Sequence, residues 1–149
     1  MVMSESARPR IVVGVDGSDL STEALRWAIG QARLIGGEVV AALAWEIPVV
    51  FMPAPSLDGF EFEADGQAVI DEVLAAVADD GSGVTVTGRV IHAQPRSALL
   101  EAATGADLLV VGSHGVGALP GLHLGSVASF LVHHAPCPVL VYRRADTGR

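Results

Sequence analysis

The residues best spaced for chemistry lie late in the chain. Gly112 and Gly115 enclose two residues, nine more follow, and Gly125-Ser126 comes next. Glycine lets a backbone turn tightly and approach a ligand with no Cβ in the way, and a helix start offers unpaired N–H groups and a positive dipole end. Ser126 adds a hydroxyl. A phosphate chain lying between Gly115 and Ser126 would meet donors from both sides, with Ser113, His114, Val116, Gly117 and Val127 in the same candidate loop and helix start. The plainer alternative is that Gly112 and Gly115 end a strand and Gly125 breaks a loop. The whole spacing, placed after an apolar run and before a helical one, favours an anion cradle.

A second candidate stands near the N-terminus, where the run Arg10 to Asp16 ends in Gly14-Val15-Asp16-Gly17-Ser18. Asp16 could position a ligand, and it could equally cap its own turn through Gly17 and Ser18; the two roles are compatible. A phosphoacceptor role would need a partner lysine. Ser18, Ser21 and Thr22 resemble a poorly spaced flavodoxin-type phosphate loop, but serine before a helix is most often an N-cap. Ala44, ending the next apolar run, would form a side wall of the same crevice, and Trp45 beside it is placed to contact a ligand. Trp27 reads as packing. His114 lies inside the cradle, where phosphate contact or loop packing outranks general-base catalysis because no acid orients it. His133 and His134 suit the negative end of a helix, and Cys137 reads as a small buried residue.

These groups need elements to hold them. Arg10–Asp16, Glu38–Glu46, Asp107–Gly112 and Pro138–Arg143 are short β-branched apolar runs of the kind that form strands buried on both faces; Val84–Ile91 alternates as an edge strand does. Helical spacing runs from Leu20 to Ile35, Asp65 to Asp80, Arg96 to Thr104 and Gly125 to His134, with Pro95 in a first-turn position. Strand and helix thus alternate throughout. Because such crossovers are right-handed and parallel, an open parallel five-stranded α/β sheet with helices on both faces is expected, in a single domain over 10–144 with flexible ends at 1–9 and 145–149. Ligands in such sheets bind beyond the carboxyl ends of the strands, where the winding reverses. The Pro-rich stretch from Ile47 to Gly59 is too long for an ordinary connection and is read as mobile or functional.

Composition narrows the chemistry. The 149 residues carry a net charge of −8 with nine basic residues, all of them arginine. The absence of lysine removes the Walker A loop, Schiff-base catalysis and the lysine-dependent receiver switch. The charge disfavours nucleic acid and anionic lipid, and no apolar run is long enough to span a bilayer. The acids are concentrated: Asp58 to Asp80 holds eight and no arginine, making it a candidate docking surface for a protein partner. One cysteine and a polar N-terminus without an apolar core suggest a reducing cytoplasm.

The blocks VVGVDGSDLSTEAL, ADLLVVGSHG, LGSVASFLV and HAPCPVLVYR, in this order, resemble the universal stress protein family, and Gly112-x-x-Gly115, nine residues, Gly125-Ser126 looks like the nucleotide signature of its ATP-binding branch. The resemblance implies strand order 3-2-1-4-5, an adenine nucleotide alpha hydrolase-like fold, a homodimer, and ATP or a related adenine nucleotide bound with Mg²⁺. It would place Asp16 at the ribose or the metal-bound end, Ala44 at the adenine, Val111 and Gly112 under the ribose, and Gly115, Gly125, Ser126 and Val127 at the phosphates. The homodimer fits an apolar edge strand, Val139 to Tyr142, that needs a partner. Two departures stand out. Ala93 or Gln94 replaces a glycine common before Pro95, in a turn expected to lie away from the cradle, and the loop from Ser113 to Leu124 has histidines but no arginine.

Overall fold

The computed structural model describes residues 8–46, 59–80, 83–115 and 124–144. Five strands alternate with four helices: β1 (Arg10–Val15), α1 (Asp19–Ile35), β2 (Glu38–Ala44), α2 (Gly59–Ala76), β3 (Val86–Ile91), α3 (Pro95–Ala103), β4 (Leu108–Gly112), α4 (Ser126–His134) and β5 (Val139–Tyr142). All pairings are parallel and the order is β3-β2-β1-β4-β5. The expected architecture and order are therefore the observed ones. β1 lies at the centre, and the winding reverses between β1 and β4.

Period-two alternation divides the strand residues between two cores. Ile11, Val13 and Val15 pack with Leu25 and Ile29 of α1 and Ile70 and Val73 of α2. Val12, Ala42 and Val111 pack on the other face with Leu99 and Ala102 of α3 and Ala128 and Leu131 of α4. Burial of β-branched residues on both faces explains why the central strands read as unbroken apolar runs. The edge strand β3 is thinner. A Cβ on Gly88 would lie 2.7 Å from Ile70 Cγ1 and 2.9 Å from Leu74 Cδ1, so its glycine lets α2 settle against the sheet.

Helix ends explain two boundary differences. α2 starts at Gly59, six residues before the expected Asp65, because no breaker interrupts the sequence from Phe60 to Asp65. It stops at Ala76 rather than Asp80, where i→i−3 bonds such as Asp80 N to Val77 O at 3.0 Å tighten the chain. Its last turn has no basic residue of its own. α1 supplies them instead: Arg26 donates to Ala76 O at 3.2 Å and to Asp80 Oδ2 at 3.1 Å, and Arg33 donates to Asp80 O. Cations thus meet the negative end of α2 from a neighbouring helix. The carboxyl end of the acidic segment is consequently engaged with α1. No described helix is long and apolar enough to cross a membrane. The stretch 47–58, read as mobile or functional, lies outside the described residues.

Candidate nucleotide site

A cavity of about 580 Å³ opens where β1 and β4 diverge. Gly14, Val15 and Asp16 line it from the end of β1, Ala42 and Ala44 from β2, Val111 and Gly112 from β4, and His114 and Gly115 from the turn beyond. Gly125, Ser126, Val127 and Ala128 enclose it from the start of α4, and Ser21, Pro95 and Leu99 complete the wall. Two sequence segments almost a hundred residues apart, ending β1 and β4, therefore meet across one crevice. Val116 and Gly117 lie outside the described residues.

Each glycine of the cradle answers a local demand. A Cβ on Gly115 would stand 2.8 Å from Asp16 Oδ2, and one on Gly125 would meet His114 Cα and Ser113 O at 3.2 Å. Gly112 differs: its missing side chain faces Leu20 of α1, with Cδ2 at 3.3 Å, so packing requires it before any ligand does. The loop closes by a backbone clasp in which Gly125 N–H donates to Ser113 O. Ser113 N–H in turn donates to Tyr142 O of β5 at 2.9 Å. Ser113 itself is buried and does not line the cavity; it holds the loop to the sheet.

The turn after β1 is built from side-chain bonds. Ser18 N–H donates to Asp16 Oδ1 at 3.0 Å, giving the capping turn considered above. Ser18 Oγ caps α1 by accepting from Ser21 N, and the Ser21 and Thr22 hydroxyls donate to Ser18 O. The three hydroxyls are thus occupied within the helix start, unlike those of a flavin phosphate loop. Asp16 still borders the cavity and faces Gly115 through Oδ2. At the far wall, Gly125 provides no side-chain cap for α4, whose first turn has no acidic residue. Its leading N–H groups lie beside the cavity, where an anion is favoured.

Three site expectations change. Trp45 does not contact the cavity: alternation along β2 sends Ala42 and Ala44 to it and turns Leu43 and Trp45 to the other face, where Trp45 packs on Gly66 of α2. The turn before Pro95 is at the site, since Pro95 lines the cavity. Ala42, Leu99 and Ala128 were not anticipated, and Ser21, considered only as part of a phosphate loop, lines the wall. Ala42 was legible from the two-residue period of β2, whereas Leu99 becomes a wall only through the packing of α3 on Gly14. Away from the site, burial pushes the Cys137 thiol up, with Asp107 adding to the shift. Cys137 is half-buried on the second core, rather than the buried residue expected there.

Residues 8–143 match the sequence model of the Universal stress protein family. The chain belongs to the universal stress protein family. A universal stress protein of Mycolicibacterium smegmatis is 39% identical over 140 residues, covering 94% of this chain and 47% of that protein. The chain spans about half the length of the curated relatives it matches. Among solved structures, universal stress protein UspA from Lactobacillus plantarum superposes with a TM-score of 0.77 at 24% identity, over 93% of this chain and all of that one, which shows the shared fold. A universal stress protein in complex with cAMP matches at TM-score 0.68 and 29% identity, over 92% of this chain and 98% of the other.

Proposed function

We propose that the chain binds an adenine nucleotide, ATP foremost, in the cavity between β1 and β4 and acts as a stress-response regulator that reports nucleotide state in the cytoplasm. The observation that carries this reading is the cavity's division into two chemistries. One half is apolar, with Ala42, Ala44, Leu99 and Val111, and suits a base. The other half offers the uncapped start of α4 and the backbones of Gly115 and Gly125, and suits a phosphate chain. The structural relative in complex with cAMP supports an adenine ligand. Asp16 stands where it can meet the ribose or a phosphate-bound cation.

Among the described residues no group of three His, Cys, Asp or Glu side chains could hold a metal. Mg²⁺ would therefore be held by the nucleotide phosphates with Asp16, and it would neutralise charge that no lysine is available to meet. A homodimer through the edge of β5 and a protein partner on the acidic segment 58–80 complete the reading.

Two measurements test it. Small molecules released by denaturing the purified protein are identified, and ATP is titrated with Mg²⁺ and with EDTA. Released or titratable adenine nucleotide, with affinity falling strongly in EDTA, is the expected result. No bound or bindable adenine nucleotide overturns the reading, and equal affinities with and without Mg²⁺ remove the cation from it.

A further inference from the structure

Among the described residues two polar side chains are buried, those of Ser21 and Ser113. Ser113 belongs to the loop clasp. Ser21 stands in the first turn of α1, among the buried Leu20, Ala24 and Leu25, and it lines the cavity. Helix physics alone would put alanine here, because alanine has the higher helix propensity and a hydroxyl bonded to its own helix backbone competes with the helix. Nor is this hydroxyl the cap, since Ser18 Oγ fills that place by accepting from Ser21 N at 3.2 Å. The neighbouring Thr22 hydroxyl donates to Ser18 O at 3.2 Å without lining the cavity.

Ser21 Oγ makes a further bond. It donates to Ser18 O at 3.0 Å and accepts the Asp16 N–H at 3.3 Å. Asp16 is the first residue past β1, where the chain turns out of the sheet. Ser18 N–H comes back to Asp16 Oδ1 at 3.0 Å, so the bonds close a ring from the Asp16 backbone through Ser21 and Ser18 to the Asp16 carboxylate. The ring fixes the backbone of Asp16 and one of its carboxylate oxygens together. The other oxygen, Oδ2, lies toward Gly115, where an added Cβ would stand 2.8 Å from it in the cavity wall. A carboxylate loose beside phosphates would repel them, whereas one held in place can accept from an electropositive group of the same ligand.

We propose that Ser21 is a positioning residue of this site: its buried hydroxyl captures the Asp16 N–H where β1 ends, and so holds the Asp16 carboxylate at the cavity for a ribose hydroxyl or a phosphate-bound cation of the nucleotide. This rests on the nucleotide reading above and extends it to a residue that acts through Asp16. A serine is retained in a helix start that favours alanine because the hydroxyl sets the site in advance of binding.

The test is a double-mutant cycle of Ser21→Ala and Asp16→Ala, read by calorimetric titration of adenosine and of Mg-ATP. Thr22→Val, which removes the neighbouring hydroxyl, is the control for the helix start. Ser21→Ala is expected to weaken binding about three- to tenfold, the worth of one hydrogen bond. On the Asp16→Ala background the same change should alter binding by less than about twofold, because the group it positions has gone. Thr22→Val should bind as wild type does. A loss seen with both ligands assigns Asp16 to the ribose, and a loss confined to Mg-ATP assigns it to the cation; either supports the proposal. Equal losses on both backgrounds, an equal loss in Thr22→Val, or no loss in Ser21→Ala or in Asp16→Ala overturns it, while wild-type binding leaves the nucleotide reading intact. A wild-type protein that binds neither ligand overturns both.

Discussion

Gly14→Ala tests how the cavity is shaped. Gly14 lies in β1 at the centre of the sheet, and an added Cβ would stand 2.8 Å from Leu99 Cδ1, 3.1 Å from Leu99 Cδ2 and 3.4 Å from Val111 Cγ1. Carbon atoms pack best at about 3.5–4.0 Å, so the Leu99 methyl must retreat by about 1 Å. Overpacking of this kind costs about 1–3 kcal/mol, while replacing a strand glycine by alanine returns about 0.5–1 kcal/mol. The net loss is then about 0–2.5 kcal/mol, or up to about 10 °C in a chain of this size. The partner variant is Leu99→Ala, which removes the obstacle and itself costs about 2–5 kcal/mol. On that background Gly14→Ala should reverse sign and stabilise by about 0.5–1 kcal/mol, because only the gain in strand preference remains. Urea denaturation of the four proteins measures the cycle, and nucleotide titration reports how far Leu99 has moved into the cavity. Independent sites agree within about 0.3–0.5 kcal/mol; additivity at that level would refute the packing argument.

Among the described residues Gly115→Ala should strain the protein through Asp16 alone, since Gly115 has no positive φ while its Cβ would approach Asp16 Oδ2 at 2.8 Å. A melting point lowered in Gly115→Ala but not further lowered in Asp16→Ala,Gly115→Ala relative to Asp16→Ala is the expected pattern, and equal losses on both backgrounds contradict it. Because burial pushes the Cys137 thiol up, iodoacetamide at pH 8 should label the folded protein much more slowly than the urea-unfolded one; equal rates would place the thiol elsewhere. For the dimer through β5, sedimentation should give twice the chain mass for wild type, and Val141→Pro, which removes a donor from β5, should give monomer or aggregate. An unchanged dimer in that variant excludes this interface.

The central strands were readable because burial on both faces leaves an unmistakable run, as in Ile11 to Val13 and Leu109 to Val111. The end of α2 was not, because the cations that close it belong to Arg26 and Arg33, some fifty residues earlier. Site residues ending β1 and β4 could be named from their glycines and from the rule that ligands gather where winding reverses. Leu99, Pro95 and Ala128 could not, since their side chains reach the cavity only after α3 and α4 dock. Trp45 shows the opposite error: nearness in sequence to Ala44 suggested shared duty, yet adjacent strand residues point to opposite faces.

The backbone clasp between Ser113 and Gly125 has an architectural consequence. Its two ends are fixed to each other, and Ser113 is fixed to the last rung of the sheet, before the chain between them is specified. Loop-closure cost grows only slowly with length, by about 0.6 kcal/mol for each doubling. The staple therefore ties the end of β4, the last residue of β5 and the start of α4 into one unit, held by two backbone bonds at a single residue, Ser113.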